Sequence, residues 1–77
     1  MQTQHIERAL YLGSDEPMLG IHHGKRYDIR IDILKSGRNR VTVLDSSMSP
    51  VRFTYKNEKE RTKTWKKAPE ASPFKKN

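Results

Sequence analysis

Tyr27-Asp28-Ile29-Arg30-Ile31-Asp32-Ile33 is the stretch on which the fold turns. Apolar and charged residues alternate through it without a break. A period of two puts Tyr27, Ile29, Ile31 and Ile33 on one face of an extended chain and Asp28, Arg30 and Asp32 on the other. The β-branched isoleucines also suit a pleated surface. This predicts a half-buried strand whose charged face meets solvent.

Working towards the C-terminus, Lys35-Ser36-Gly37-Arg38-Asn39 supplies turn chemistry, with Gly37 free to take positive φ. Arg40-Val41-Thr42-Val43-Leu44-Asp45 resumes extended structure, so the two strands make a hairpin. Setting Ile33 opposite Val41 and Ile31 opposite Val43 keeps all four on the core side. Ser46-Ser47-Met48-Ser49-Pro50 reads as a second turn, after which Val51, Phe53 and Tyr55 alternate with Arg52, Thr54 and Lys56. Asn57, with Glu60 three positions on, has the form of a helix start. A short helical turn near 58–66 must end before Pro69. Trp65 is its only large apolar residue and is expected to pack on an open end of the fold.

Towards the N-terminus, Ile6 to Leu12 reads as a first strand, stopped by Gly13-Ser14-Asp15-Glu16-Pro17. Ser14 to Gly24 reads as a long irregular loop with Met18, Leu19 and Ile21 as anchors. The expected organisation is a frayed 1–5, one mostly all-β barrel of about five short antiparallel strands over 6–67, and a disordered basic tail over 68–77. A domain of ~60 residues buries only about 60% of the surface its unfolded chain exposes, so the core is thin. With no cysteine, neither a disulfide nor a thiolate metal site reinforces it.

Charge is unevenly spread. Residues 1–34 hold four basic residues against five acidic ones, whereas residues 35–77 hold twelve against four. The net charge of +7 therefore belongs to the second half, and such a field favours polyanions.

Other chemistries find less support. His22 and His23 are adjacent, so in extended structure they point opposite ways, and no third ligand stands at useful spacing; no metal and no cofactor are expected. Asp28 and Asp32, on an exposed strand face, are expected to neutralise Arg30 and Arg52 across the sheet rather than to work as a catalytic pair. No serine lies in a nucleophile-elbow context, and Gly20, Gly24 and Gly37 are too dispersed to cradle phosphate. The sequence predicts no enzyme. Residues 58–67 carry Trp65 alone on any apolar face, which argues against membrane binding. The polar start Met1-Gln2-Thr3-Gln4-His5 carries no leader-like apolar run, so a cytoplasmic protein is expected.

The basic stretch remains. Lys56, Lys59, Arg61, Lys63, Lys66 and Lys67 can neutralise phosphates and release counterions, and Arg38 and Arg40 in the hairpin extend the same surface. Tyr55 and Trp65 stand among these cations, but a barrel this small needs them in its core, leaving contact with DNA or RNA backbone and not with bases.

The order of strand, long loop, three meandering strands and short closing turn resembles a Src-homology-3-like barrel. Ala9-Leu10-Tyr11 is similar to the Ala-Leu-Tyr opening of those domains, and Gly24-Lys25-Arg26-Tyr27-Asp28-Ile29 to the entry of their second strand. The adjacent tryptophans that line a proline-rich-peptide groove are missing, and Trp65 comes too late to replace them. A closer resemblance is to small Src-homology-3-like proteins of bacteriophage and prophage origin. Their Ala-x-Tyr-x-Gly is matched by Ala9, Tyr11 and Gly13, their Gly-Lys-x-Tyr-x-Ile by Gly24, Lys25, Tyr27 and Ile29, and their late Tyr and Trp by Tyr55 and Trp65. The match spans residues 8–66 and implies a fold and a phage or prophage origin in a bacterial host, not an activity.

Two expectations follow. The first is a non-enzymatic accessory protein that binds nucleic acid through the basic half. The second is a module that docks on a host or phage protein through a sheet edge or through Asp15, Glu16, Met18, Leu19, His22 and His23 of the long loop.

Overall fold

The alternation of Tyr27–Ile33 becomes the central strand of an antiparallel sheet in the computed structural model, which describes residues 3–68. Five strands, β1 (Thr3–Tyr11), β2 (Arg26–Ile33), β3 (Asn39–Val43), β4 (Val51–Tyr55) and β5 (Trp65–Lys67), lie in the order β4-β3-β2-β1-β5. A 3-10 turn over Pro17–Leu19 interrupts the β1–β2 loop, and a helix, α1 (Glu58–Thr64), links β4 to β5. The first strand begins before Ile6, taking in residues expected to fray, because Gln4 and His5 find partners in Asp32 and Ile31. The basic tail expected from 68 lies outside the described residues from 69 on. Ala68 itself belongs to the fold: it is buried, and its N–H donates to the Arg8 carbonyl at 2.9 Å.

The sheet is not closed. No backbone ladder joins β4 to β5, the two edges of the strand order. Side chains cross that seam instead, with Trp65 Nε1 donating to the Tyr55 hydroxyl at 2.8 Å. Trp65 is fully buried and sits in β5 rather than in the helical turn. Its ring centroid lies 4.8 Å from that of Tyr11, 6.1 Å from Phe53 and 6.2 Å from Tyr27, within the range of favourable aromatic pairing. Around this centre pack Ala9, Ile21, Ile29, Ile31, Val41, Val43 and Val51, the inward-facing members of four strands and one loop residue. Gly13 lies so close to the Tyr11 ring that an added Cβ would come within 2.6 Å of Cζ, so a side chain there would have to displace the tyrosine.

The hairpin register differs from the expected one by two residues. Ile31 faces Val41, Ile29 faces Val43, and Ile33 faces Asn39. The turn is tighter than the five residues of turn chemistry suggest: Leu34 N–H donates to Arg38 at 2.9 Å, and Gly37 N–H to Leu34 at 2.9 Å, with Gly37 at φ +92°. A left-handed residue closing a three-residue hairpin is a favoured solution. A slip of two leaves every side chain on its own face, so the core is unchanged and the charged face is re-paired.

Asp32 pairs with Arg30 as expected, and the rest of the expectation for the aspartates is corrected. Asp32 stands opposite Arg40 and is fully buried, its Oδ2 accepting from Arg30 Nε at 3.3 Å. Arg40 Nε lies 3.7 Å from the same oxygen, close enough for an ion pair but too long for a hydrogen bond. Asp28 pairs with Arg8 at 2.9 Å and not with Arg30. Arg52 has no ion pair among the described residues.

The helix follows its cap. Asn57 is extended, and its Oδ1 accepts from Glu60 N–H at 2.9 Å, satisfying one of the first-turn donors that a helix leaves open. Arg61, expected among the phosphate-facing cations, turns inward instead. It is 9% exposed, and its Nε donates to Asn39 Oδ1 at 2.8 Å.

Candidate nucleic-acid interface

Register decides which cations share a surface. Residues directly opposite each other in an antiparallel sheet point to the same side. The side away from the core therefore carries Arg8 and Leu10 of β1, Arg26, Asp28, Arg30 and Asp32 of β2, Arg40 of β3, Arg52 of β4 and Lys66 of β5. Every strand contributes a cation to it. Three of these are already engaged: Arg8 with Asp28 and Asp45, at 2.9 and 3.3 Å, and Arg30 and Arg40 with Asp32. The hydrogen bond from Arg8 to Asp28 holds its guanidinium still more firmly in the charged form.

The remaining cations gather at one end. Arg26, Leu10 and Lys66 form a row across β2, β1 and β5, so Arg26 and Lys66 flank Leu10. Lys25 and Lys67 adjoin them. A groove of about 1040 Å³ lined by Arg8, Leu10, Lys25, Arg26 and Lys67, among others, runs beside the β1 strand, and a second cavity of about 450 Å³ brings Lys66 to Leu10, Arg26 and Lys67. Lys25, Arg26, Lys66 and Lys67 are all exposed, and none makes an ion pair among the described residues. Glu7 is the one carboxylate in the groove lining, and His5 occupies it at 2.7 Å.

Backbone contacts hold this arrangement. Tyr11 N–H donates to Lys25 at 2.9 Å and Gly24 N–H to Tyr11 at 2.7 Å, which ties the entry of β2 to the end of β1. Leu12 N–H donates to Thr64 at 2.7 Å, which docks the start of β5 on the other side of the same strand. Thus one strand, β1, positions cations that are forty residues apart in sequence.

The other expected phosphate contacts do not join them. Arg38 lies in the β2–β3 turn and Lys56 just after β4, beside each other at the far end of the sheet, since Asn39 is opposite Tyr55. The length of β2, roughly 26 Å for eight extended residues, separates them from Arg26. Lys59 is exposed on α1, and Lys63 contacts Glu60 at 3.4 Å. Arg40 is held by Asp32, and Arg61 is interior. Of the eight residues, Lys67 alone lines the groove, and Lys66 lines the second cavity beside it. Lys25 and Arg26 complete the groove, although they belong to the half of the chain with no excess of positive charge.

The long loop is ordered by its own contacts. Asp15 Oδ1 accepts from His23 N–H at 2.6 Å, the Tyr11 hydroxyl donates to the Ser14 carbonyl at 2.8 Å, and His22 N–H donates to the Tyr27 hydroxyl at 2.9 Å. Glu16 bridges to Ile21, which is fully buried. Leu19 packs against the core and is no surface anchor, whereas Met18 is 86% exposed at the loop tip. Among the described residues no three His, Cys, Asp or Glu side chains gather as a metal site would require, and no helix is long and apolar enough to cross a membrane. No family model, curated protein or solved structure matches the chain.

Proposed function

We propose that this protein binds nucleic acid through its phosphates, using the groove and adjoining cavity lined by Lys25, Arg26, Lys66 and Lys67. The observation that carries the reading is the nearness of four exposed cations, from two distant segments and without an ion pair among the described residues, along two adjoining hollows that share Leu10, Arg26, Lys67 and Ala68. Unpaired cations are surrounded by counterions or water, and phosphates displace these with a gain in entropy. Cations already bonded to carboxylates have much less to gain. Affinity of this kind depends on charge, is insensitive to base sequence and weakens steeply with salt.

The role is that of an accessory protein without enzymatic activity. The resemblance to bacteriophage and prophage proteins supports placing it in the cytoplasm of a bacterial host. Binding to a mixed-sequence nucleic acid at ~50 mM salt is the expected result, lost progressively towards ~200 mM. Absence of binding to both DNA and RNA at the lower salt would rule the reading out.

The loop supports a second reading. Met18 is presented at 86% exposure on a segment pinned by hydrogen bonds, with Asp15 and Glu16 before it. A methionine that contributes nothing to the core is an adaptable docking residue, and protein interfaces favour that residue type. A stoichiometric protein captured from a nuclease-treated bacterial lysate by the wild type, and lost with Met18→Ser, is the outcome this reading requires.

A further inference from the structure

We infer that the groove takes double-stranded in preference to single-stranded nucleic acid, an inference that rests on the phosphate-binding reading above. Proteins that hold single strands combine a cationic track with exposed aromatic rings on which successive bases stack. Among the described residues the rings point the other way. Tyr11, Tyr27, Phe53, Tyr55 and Trp65 all fall on the core face of the sheet, around a tryptophan that is fully buried and whose Nε1 is committed to Tyr55. The apolar side chains beside the groove cations are Ile6, Leu10 and Ala68, which are aliphatic and offer a base no π-face.

Within the groove charge is then the main attraction, and on charge the duplex wins. It carries one phosphate per ~1.7 Å of axis, against ~3.4 Å for each strand counted alone. The geometry of the cations adds to this. Arg26 and Lys66 leave the sheet from strands on either side of β1, with backbones ~10 Å apart, so their spacing is set by the sheet. A fixed array meets the regular phosphates of a stiff duplex without first ordering it, whereas a flexible strand must give up conformational freedom to match the same points.

The test compares a duplex of ~20 base pairs with each of its separated strands, using the full chain and fluorescence anisotropy at ~50 and ~200 mM salt. The duplex is expected to bind roughly tenfold more tightly at the lower salt. Its association constant should fall about a hundredfold between the two conditions, as four phosphate contacts at a slope of ~0.9 each require. A single strand bound as tightly as the duplex, or more tightly, overturns the inference and leaves phosphate binding standing. Failure of both to bind at the lower salt overturns the two together.

Discussion

The two ends of β2 carry cations of opposite fate. At the Ile33 end, Arg30 and Arg40 are neutralised by a fully buried carboxylate, and the nearby Arg61 is drawn inside to bond Asn39. At the Arg26 end, four cations stay in solvent with no ionic partner among the described residues. Formal charge in a sequence is therefore not charge at a surface. The strongly basic half of this chain spends some of its arginines on structure, while the nearly neutral half supplies two of the groove cations.

That contrast can be broken most forcefully at Asp32. Taking away its carboxylate leaves two guanidiniums without their counter-charge on a surface they help to cover. Removing one partner of a buried pair typically costs about 3–5 kcal/mol. Because Arg30 and Arg40 remain about one-third exposed, the lower figure is the better guide. Asp32→Ala should therefore lower the unfolding free energy by about 3 kcal/mol in a urea titration, a large part of the stability of so small a domain. A loss below ~1 kcal/mol would show the ion pair to be a surface contact.

A smaller effect separates neighbours on α1. Arg61→Ala strips the donor from Asn39 Oδ1, in a residue only 1% exposed, and should cost about 1–3 kcal/mol. Lys59→Ala, two residues away on the exposed side, should change stability by less than ~0.5 kcal/mol. Equal effects would mean that the two cations are not divided between interior and solvent.

The seam between β4 and β5 gives the smallest and most pH-specific signal. Burial pushes the Tyr55 phenol above the usual tyrosine range, against the opposing effect of its bond from Trp65. The folded state thus holds this proton more tightly than the unfolded chain. Its contribution is complete below the unfolded value near pH ~10 and is lost as pH rises through the folded one. Tyr55→Phe should cost ~1 kcal/mol at neutral pH, since Trp65 Nε1 loses its acceptor. It should also make the thermal midpoint fall less steeply than the wild type's above pH ~10. Parallel alkaline profiles would place Tyr55 in solvent.

Much of the fold was legible because it is written in local pattern. The alternation of Tyr27–Ile33, the Asn57 cap and the need of a thin core for Trp65 each rest on residues close together in sequence. What was not legible depends on distant pairing. A two-residue slip preserves the faces, so hydrophobic alternation cannot choose between registers. The choice was made by Gly37 and a tighter turn, and it is the register that sets Arg40 opposite Asp32. Alternation also places Asp32 outside, and only neighbouring arginines can bury a carboxylate there. The groove was half visible for the same reason. Lys66 and Lys67 stood out in a basic run, but Lys25 and Arg26 looked like the entry of a strand until β1 set Arg26 one strand to one side of Leu10 and Lys66 one strand to the other.

The most direct measurement compares the salt dependence of duplex binding in two charge-neutralised variants. Replacing Lys25, Arg26, Lys66 and Lys67 by glutamine should abolish binding at ~50 mM salt or cut the slope of log K against log salt by about 3–4, with the thermal midpoint little changed. Replacing Arg38, Lys56 and Lys59 at the far end by glutamine should lower the slope by less than ~1. The reverse order, with the far end controlling the slope and the groove variant binding as the wild type does, would contradict the account.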